Sequence, residues 1–380
     1  MRKSLLLAAI FATFSCGCHP QDTPSDDKPV VPEPEPETPA VVTPAFAKGA
    51  DISWASEMEA GGKKFKKKDG TEAPLLEVLK DCGMNAIRLR VWVDPYKGWS
   101  GKDDVVAVAQ KVKAAGMALM VDFHYSDFFA DPSRQQTPAA WATDKDDLTK
   151  MCRHVADHTT EVLEALKAAG VTVAWVQIGN ETRNGMLWPA GQLWTEAGDI
   201  ADGRKHFAQL YNAGYEAAKA VFPAAVVMPH INNAYADNAW WFQQVQAAGA
   251  HFDAIALSHY PQAEKAMTSA QYNQKALANI QSLAANYKLP VYITEVGVMS
   301  AQSDAASVLA SFMTELRKLD VCKGIFYWEP QVNGKWKPAV YSDAAAIYQY
   351  TGKRETWNAY GQGAFTTDFA PSPILDCFAD

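Results

Sequence analysis

From residue 45 onward the chain alternates short β-branched and aromatic runs with longer amphipathic stretches, eight times over. The runs lie at 47–52, 86–92, 118–123, 173–178, 225–230, 254–258, 291–294 and 324–328, each short enough for a buried strand. Between them, helical spacing of apolar residues covers, for example, 103–115, 147–169, 205–221, 270–286 and 304–319. Gly116 and Gly170 follow two of these segments, as C-caps do. A helix between each pair of strands makes the strands parallel, and eight such units predict a closed (β/α)8 barrel, the TIM barrel, as one domain over 45–380. The 380 residues, 48% hydrophobic and 11% aromatic, supply core enough for it. An open doubly wound sheet would require a glycine-rich phosphate loop after an early strand, and the chain has none.

Almost every strand ends in a polar or aromatic group. Asp51 closes the first; Arg88, Arg90 and Trp92 alternate along the second; His124 ends the third and Asn180-Glu181 the fourth. His230 and Asn232 follow the fifth, His259-Tyr260 the sixth, Glu295 the seventh and Trp328-Glu329 the eighth. A single buried histidine or arginine is ordinarily structural. A whole ring of them on one face is not, because burying that much polarity stabilises little and demands partners throughout. In a barrel the carboxyl ends of the strands are where catalysis is built. Two glutamates there, Glu181 and Glu295, are the minimum needed to cleave a glycosidic bond.

Segments 49–53, 85–95, 122–132, 175–182, 258–261, 293–295 and 324–330 resemble glycoside hydrolase family 53, the endo-β-1,4-galactanases of the clan A retaining barrels. The Asn-Glu of strand 4 and the Glu of strand 7 mark the clan; Arg-Val-Trp-Val and His-Tyr-Ser-Asp…Ala-Asp-Pro point to the family. The resemblance implies Glu181 as acid/base and Glu295 as nucleophile. It implies a substrate-binding set of Asp51, Arg88, Arg90, Trp92, His124, Asp127, Asn180, His259, Tyr260 and Trp328, with Arg88 rather than Arg90 as the active-site arginine. The expected substrate is β-1,4-galactan, the pectic side chain. Another clan A glycanase, a mannanase or cellulase, or a non-catalytic polysaccharide-binding lipoprotein, is the alternative.

The division of labour has a chemical basis. Retention requires one protonated and one ionised carboxyl about 5–5.5 Å apart. Tyr260 and a strand-2 arginine would keep Glu295 ionised, while a less charged setting would hold the proton on Glu181. The resemblance further implies that Asn180 bonds the sugar 2-hydroxyl. Among the 12 tryptophans, Trp328 at the end of the last strand is the expected platform beneath the sugar. Some family members carry a calcium-binding loop after strand 7; residues 296–303 lack a run of oxygen ligands, so neither a metal nor any other cofactor is expected.

Residues 1–15 read as a signal segment, Met1-Arg2-Lys3 preceding an apolar stretch at 4–14 too short to span a bilayer. Thr13-Phe14-Ser15-Cys16 resembles a bacterial lipobox, with Cys16 lipidated. Export and anchoring at an outer membrane or cell surface are expected, the lipid being the one membrane contact. Residues 16–44, rich in Pro, Glu and Asp, read as an extended disordered linker. The formal charge of −8 is spread along the chain, and the one basic run, 63–68, lies between glycine-containing turns, which argues against nucleic acid as a partner. A monomer is expected. Cys82, Cys152, Cys322 and Cys377 lack zinc spacing, and their pairing is open.

Overall fold

The computed structural model describes residues 43–261 and 267–379; the expected signal segment, Cys16 and the linker up to residue 42 lie outside them. Nine parallel strands form one sheet: β1 (Ala47–Asp51), β2 (Ala86–Val91), β3 (Ala118–Phe123), β4 (Trp175–Ile178), β5 (Val226–Met228), β6 (His230–Ile231), β7 (Ile255–His259), β8 (Val291–Val296) and β9 (Cys322–Trp328). Their order across the sheet is β5-β4-β3-β2-β1-β9-β8-β7-β6, with β1 and β9 paired from Ala47 opposite Gly324 to Asp51 opposite Trp328. The two edges, β5 and β6, are consecutive in the chain and separated by Pro229 alone. The sheet is thus nearly closed into a barrel.

Eight strands in a closed ring were the expectation, and the difference falls on the fifth, expected at 225–230. Pro229 splits it, since proline has no N–H to give to the ladder. Its carbonyl still accepts from the Ala256 N–H at 3.1 Å.

Helices α1 (Ala55–Ala60), α2 (Leu75–Asp81), α3 (Lys102–Ala114), α4 (Leu148–Ala168), α5 (Gly203–Val221), α6 (Ala239–Ala247), α7 (Ser269–Tyr287), α8 (Ala305–Leu316) and α9 (Ala344–Thr351) complete the architecture. Asp147 caps α4 by accepting from the Lys150 N–H at 3.1 Å, and Thr268 with Gln271 forms a reciprocal capping box on α7. Beyond α3 and α4, Gly116 and Gly170 take φ of +68° and +69°, the left-handed conformation that ends a helix. Helix α4 buries Met151, Val155, Val162 and Leu166, a stripe at helical spacing. No described helix is long and apolar enough to cross a membrane.

Inside the barrel Ala47, Ala86, Met120, Trp175, Met228, Ala256, Tyr292 and Phe326 form an apolar floor. Strand period two then decides what stands above it. Two residues beyond floor members come Arg88, Asp122, Gln177, His230, Ser258 and Trp328.

The floor is tightly fitted at Gly49, where an added Cβ would overlap the Phe326 ring. Phe326 meets Trp175 edge-on at 5.9 Å and has no open side to move into. Gly49→Ala is therefore expected to cost about 1–3 kcal/mol through overpacking, read as a lowered thermal midpoint.

The lysine run at 63–68 enters a short hairpin, Phe65–Lys66 with Glu72–Ala73. Lys64 pairs with Glu72, Lys67 with Glu77 and Asp81, and Lys68 with Asp376. Cys82, Cys152 and Cys322 are free thiols, and Cys377 Sγ lies 3.6 Å from the Ile374 carbonyl.

Candidate active site

A cavity of about 430 Å³ opens at the carboxyl ends of the strands, lined by Asp51, Arg88, Arg90, His124, Asn180, Glu181, Tyr260, Glu295 and Trp328 among others. A larger depression of about 1000 Å³ lies between α1, α2, α3 and the 65–73 hairpin, remote from these groups. It is lined by aliphatic residues and oppositely charged surface pairs, with no convergent set of reactive groups.

Arg88 organises the cavity floor. From the middle of β2 it places Nη1 2.8 Å from Asp51 and Nη2 2.8 Å from Asp122 and 3.0 Å from Glu295. Nη2 also donates to Asn180 Oδ1 at 2.9 Å and to Gln177 Oε1 at 3.2 Å. Burial works against this charge, but Asp122, Glu295 and Asp51 more than restore it, so the guanidinium stays protonated.

Glu295 reaches this cluster through an irregularity. Alternation from Tyr292 would point Thr294 into the barrel. The β7–β8 register shifts, so that Leu257 faces Ile293 but Ser258 faces Glu295. Tyr260 Oη then donates to Glu295 Oε2 at 2.8 Å, opposite the Arg88 contact on Oε1. Burial raises the Glu295 carboxyl above the ordinary carboxylate value, and Arg88 and the Tyr260 hydroxyl pull it back.

Glu181 stands just past β4 with φ of +46°, a left-handed conformation that costs a non-glycine residue and turns the side chain over the cavity. One oxygen of each glutamate and a ring nitrogen of His230 lie within 4.8 Å of one another. Burial, and next the charge of Glu295, push the Glu181 carboxyl up to about 8. Among the described residues, no cation touches Glu181 as Arg88 touches Glu295. The two carboxyls thus stand in unequal settings, with Glu295 the one held against a positive charge. The trio also has the spacing to gather a metal ion. However, His230 Nε2 meets Ser258 Oγ at 2.8 Å and Nδ1 accepts from the Glu181 N–H at 3.3 Å, which engages the imidazole with protein groups on both sides.

The remaining expected residues fall into two groups. Asn180 is held by Arg88 on its oxygen and donates to the Ala130 carbonyl at 2.8 Å. His124 accepts on Nδ1 from the Trp92 indole at 3.3 Å and the Ala130 N–H at 3.1 Å, so its Nε2 hydrogen faces Asp122 at 2.9 Å. Trp328 forms one wall, its ring 4.2 Å from Tyr360 and 6.4 Å from Tyr260. Arg90 lines the cavity but pairs with Glu329 and lies 4.2, 4.6 and 4.9 Å from the rings of Trp54, Trp92 and Phe129.

Three expected residues point elsewhere. Trp92 is buried beneath Arg90, Phe128 and Phe129. Asp127 accepts the main-chain N–H groups of Asp94 at 3.0 Å and Ala139 at 2.8 Å, shaping the loop after β3 in a separate depression. His259 falls on the outer face of β7, where it bonds Asn273 of α7 at 2.8 Å and packs on Phe312 of α8. Strand alternation explains this: His259 shares the parity of Ile255 and Leu257, and Ser258 and Tyr260 take the inner face.

Ser258, Gln177 and Asp122 were not singled out from the sequence, although their parity with the barrel floor could have found them. Tyr341, Asn358, Tyr360 and Gln362 also line the cavity, from the segment beyond β9 that returns over the barrel mouth. Nothing local in the sequence announces that return.

Comparison with known proteins bears on the same residues. The sequence pattern of glycosyl hydrolase family 53 matches residues 47–360. The chain is 33% identical over 311 residues to the probable arabinogalactan endo-beta-1,4-galactanase A of Aspergillus terreus, covering 74% of this chain and 85% of that protein. It is 30% identical over 308 residues to the arabinogalactan endo-beta-1,4-galactanase of Humicola insolens, covering 73% and 88%. The solved GH53 catalytic domain of Ignisphaera aggregans superposes with a TM-score of 0.72 at 27% identity, over 90% of this chain and 97% of that one. With the pattern spanning the barrel from β1 past β9 and relatives aligned along most of their length, the chain belongs to glycosyl hydrolase family 53 and is a glycosidase.

Proposed function

We propose that the protein is an endo-acting β-1,4-galactanase that cleaves galactan and type I arabinogalactan side chains of pectin with retention of anomeric configuration. The observation that carries this is the pairing of Glu181 and Glu295, with carboxyl oxygens within 4.8 Å on one cavity and unequal electrostatic settings. So short a separation suits direct attack by a carboxylate, as in retaining enzymes, and is less than the roughly 6.5–9.5 Å that inverting enzymes need. The names of the relatives above support galactan as the polymer.

In this reading Glu295, ionised beside Arg88 and Tyr260, attacks the anomeric carbon while Glu181 gives its proton to the departing glycosidic oxygen. Glu181, now a carboxylate, takes a proton from the water that hydrolyses the glycosyl ester on Glu295. Asn180 has a second amide hydrogen beyond the one given to Ala130, and the sugar 2-hydroxyl is its acceptor. Trp328 packs against the C–H face of the sugar at the cleavage point. The fold reading that goes with it is the closed (β/α)8 barrel, with β5 and β6 as one strand interrupted at Pro229. The enzyme works as a monomer, exported and held at the bacterial surface by lipid on Cys16. Labelling with a palmitate analogue, lost in Cys16→Ser, tests the anchor.

The deciding experiment follows the anomeric configuration of products released from β-1,4-galactan by NMR. Initial release of β-anomers is expected; α-anomers first would overturn retention. Hydrolysis of mannan or cellulose alone would move the substrate and leave the chemistry in place.

A further inference from the structure

Ser258 sits between the two glutamates and neither mechanism step above uses it. Its side chain is fully buried, with Oγ 2.7 Å from Glu181 Oε1, 3.4 Å from Glu295 Oε2 and 2.8 Å from His230 Nε2. Which way its single proton points follows from the groups behind it.

The Glu181 main-chain N–H presents a hydrogen to His230 Nδ1 at 3.3 Å, and the Gln177 amide presents another at 3.0 Å. The Gln177 amide orientation is set independently, because its oxygen accepts from Arg88 and its nitrogen donates to Asp122. Asn180 Oδ1 also approaches Nδ1 at 3.0 Å, but its two lone pairs already face donors, Arg88 at 2.9 Å and the Gln177 amide at 3.2 Å. Nδ1 is therefore the acceptor and the ring hydrogen is on Nε2. Burial, then the nearby Arg88 charge, hold His230 well below its ordinary pKa, so it is neutral and keeps this one tautomer. His230 donates to Ser258 Oγ, and the serine proton is left for one of the two carboxylates.

We propose that Ser258 is a positioning residue whose hydroxyl proton follows the negative charge between Glu295 and Glu181 during catalysis, with His230 as the fixed donor that frees it to turn. The inference rests on the acid/base and nucleophile assignment above. Before glycosyl transfer Glu295 carries the charge and receives the proton. Once Glu295 is esterified and Glu181 has given up its own proton, Ser258 turns to Glu181, whose 2.7 Å separation already suits that stage. No covalent bond is made or broken at Ser258; one hydrogen bond changes acceptor. A hydrogen bond to an ionised group is about twice as strong as a neutral one, so the hydroxyl is drawn to whichever carboxyl is charged.

The test is the pH dependence of kcat/KM and kcat on galactan for wild type, Ser258→Ala, Ser258→Thr and, in parallel, Glu181→Gln. Among the described residues, the charged and titrating groups around Ser258 are Glu181 beyond β4, His230 on β6, Tyr260 after β7, Glu295 on β8, Arg88 on β2, Asp122 on β3, His124 after it, Asp51 on β1 and Asp131 near the rim. All of them are common to the serine variants, so a difference between those variants reports the hydroxyl. Ser258→Ala is expected to lower kcat about 10- to 100-fold and to move the acid limb of the profile up by about one pH unit, because the ionised Glu295 loses a donor. The alkaline limb stays in place, because the one proton serves a single carboxylate whether one or both are ionised. Ser258→Thr, which keeps the hydroxyl, restores the acid limb. An unmoved acid limb in a folded Ser258→Ala protein, with Glu181→Gln inactive on galactan, would overturn this proposal alone. An active Glu181→Gln would overturn the assignment beneath it as well.

Discussion

Glu295→Gln is expected to lower kcat on β-1,4-galactan by about 10⁴-fold or more, because the amide is isosteric but no longer a nucleophile and the covalent route closes. The fold should tolerate the change. Burial raises the Glu295 carboxyl above the ordinary value, so its ionised form at neutral pH works against the folded state. A group whose folded pKa lies above the unfolded one supports folding at low pH and loses that contribution as pH rises through the folded value. Removing the charge is then neutral or stabilising at pH 7, since Arg88 retains Asp51 and Asp122. Turnover of the purified variant and its thermal midpoint check both halves. Activity within tenfold of wild type, at an unchanged midpoint, would sink the nucleophile assignment.

Glu181→Gln is expected to behave differently on two substrates. On galactan, where the departing sugar oxygen must be protonated, kcat/KM should fall about 10²- to 10⁴-fold. On an aryl β-1,4-galactobioside with an acidic phenol as leaving group, the first step needs no proton donor and survives, and the glycosyl-enzyme accumulates. Azide, which attacks without a general base, should then speed turnover and yield a β-configured glycosyl azide. The pH dependence follows the same logic. Glu181 must be protonated, and burial beside Glu295 raises its carboxyl to about 8. Wild-type activity on galactan should therefore fall as pH rises through about 8. Glu295 must be ionised, which sets the acid limb above the ordinary carboxylate range. The alkaline limb should vanish for Glu181→Gln on the aryl substrate. Equal losses on both substrates, with no azide effect, would argue against Glu181 as the acid.

Much of this site is legible in the sequence. Asp51, Arg88 and Trp328 lie on regular strands and His124 directly follows one, each with an apolar floor residue two or four positions earlier, and counting in twos is enough to send them inward. The same count applied to β7 would have chosen Ser258 and rejected His259, whose parity matches Ile255 and Leu257. Trp92 and Asp127 could not be resolved in this way. They lie beyond the ends of their strands, where alternation no longer holds and contacts with Phe128, Phe129 and distant main-chain groups decide the direction.

The sequence by itself determined the parallel β/α architecture, the place of each strand to within a few residues and the two glutamates at strand ends. Those follow from local patterns of period 2 and 3.6 and from turn chemistry, which act within a few residues. Only the tertiary structure decided that Glu295 enters the cavity in place of Thr294, because a register shift between β7 and β8 depends on both strands. It alone decided that Pro229 breaks the fifth strand at the sheet's two edges, that Tyr360 and Gln362 return over the mouth, and that Arg90 turns to Glu329. Such features arise where segments far apart in the chain compete for one buried volume and one set of charges, and a local pattern carries no record of that competition.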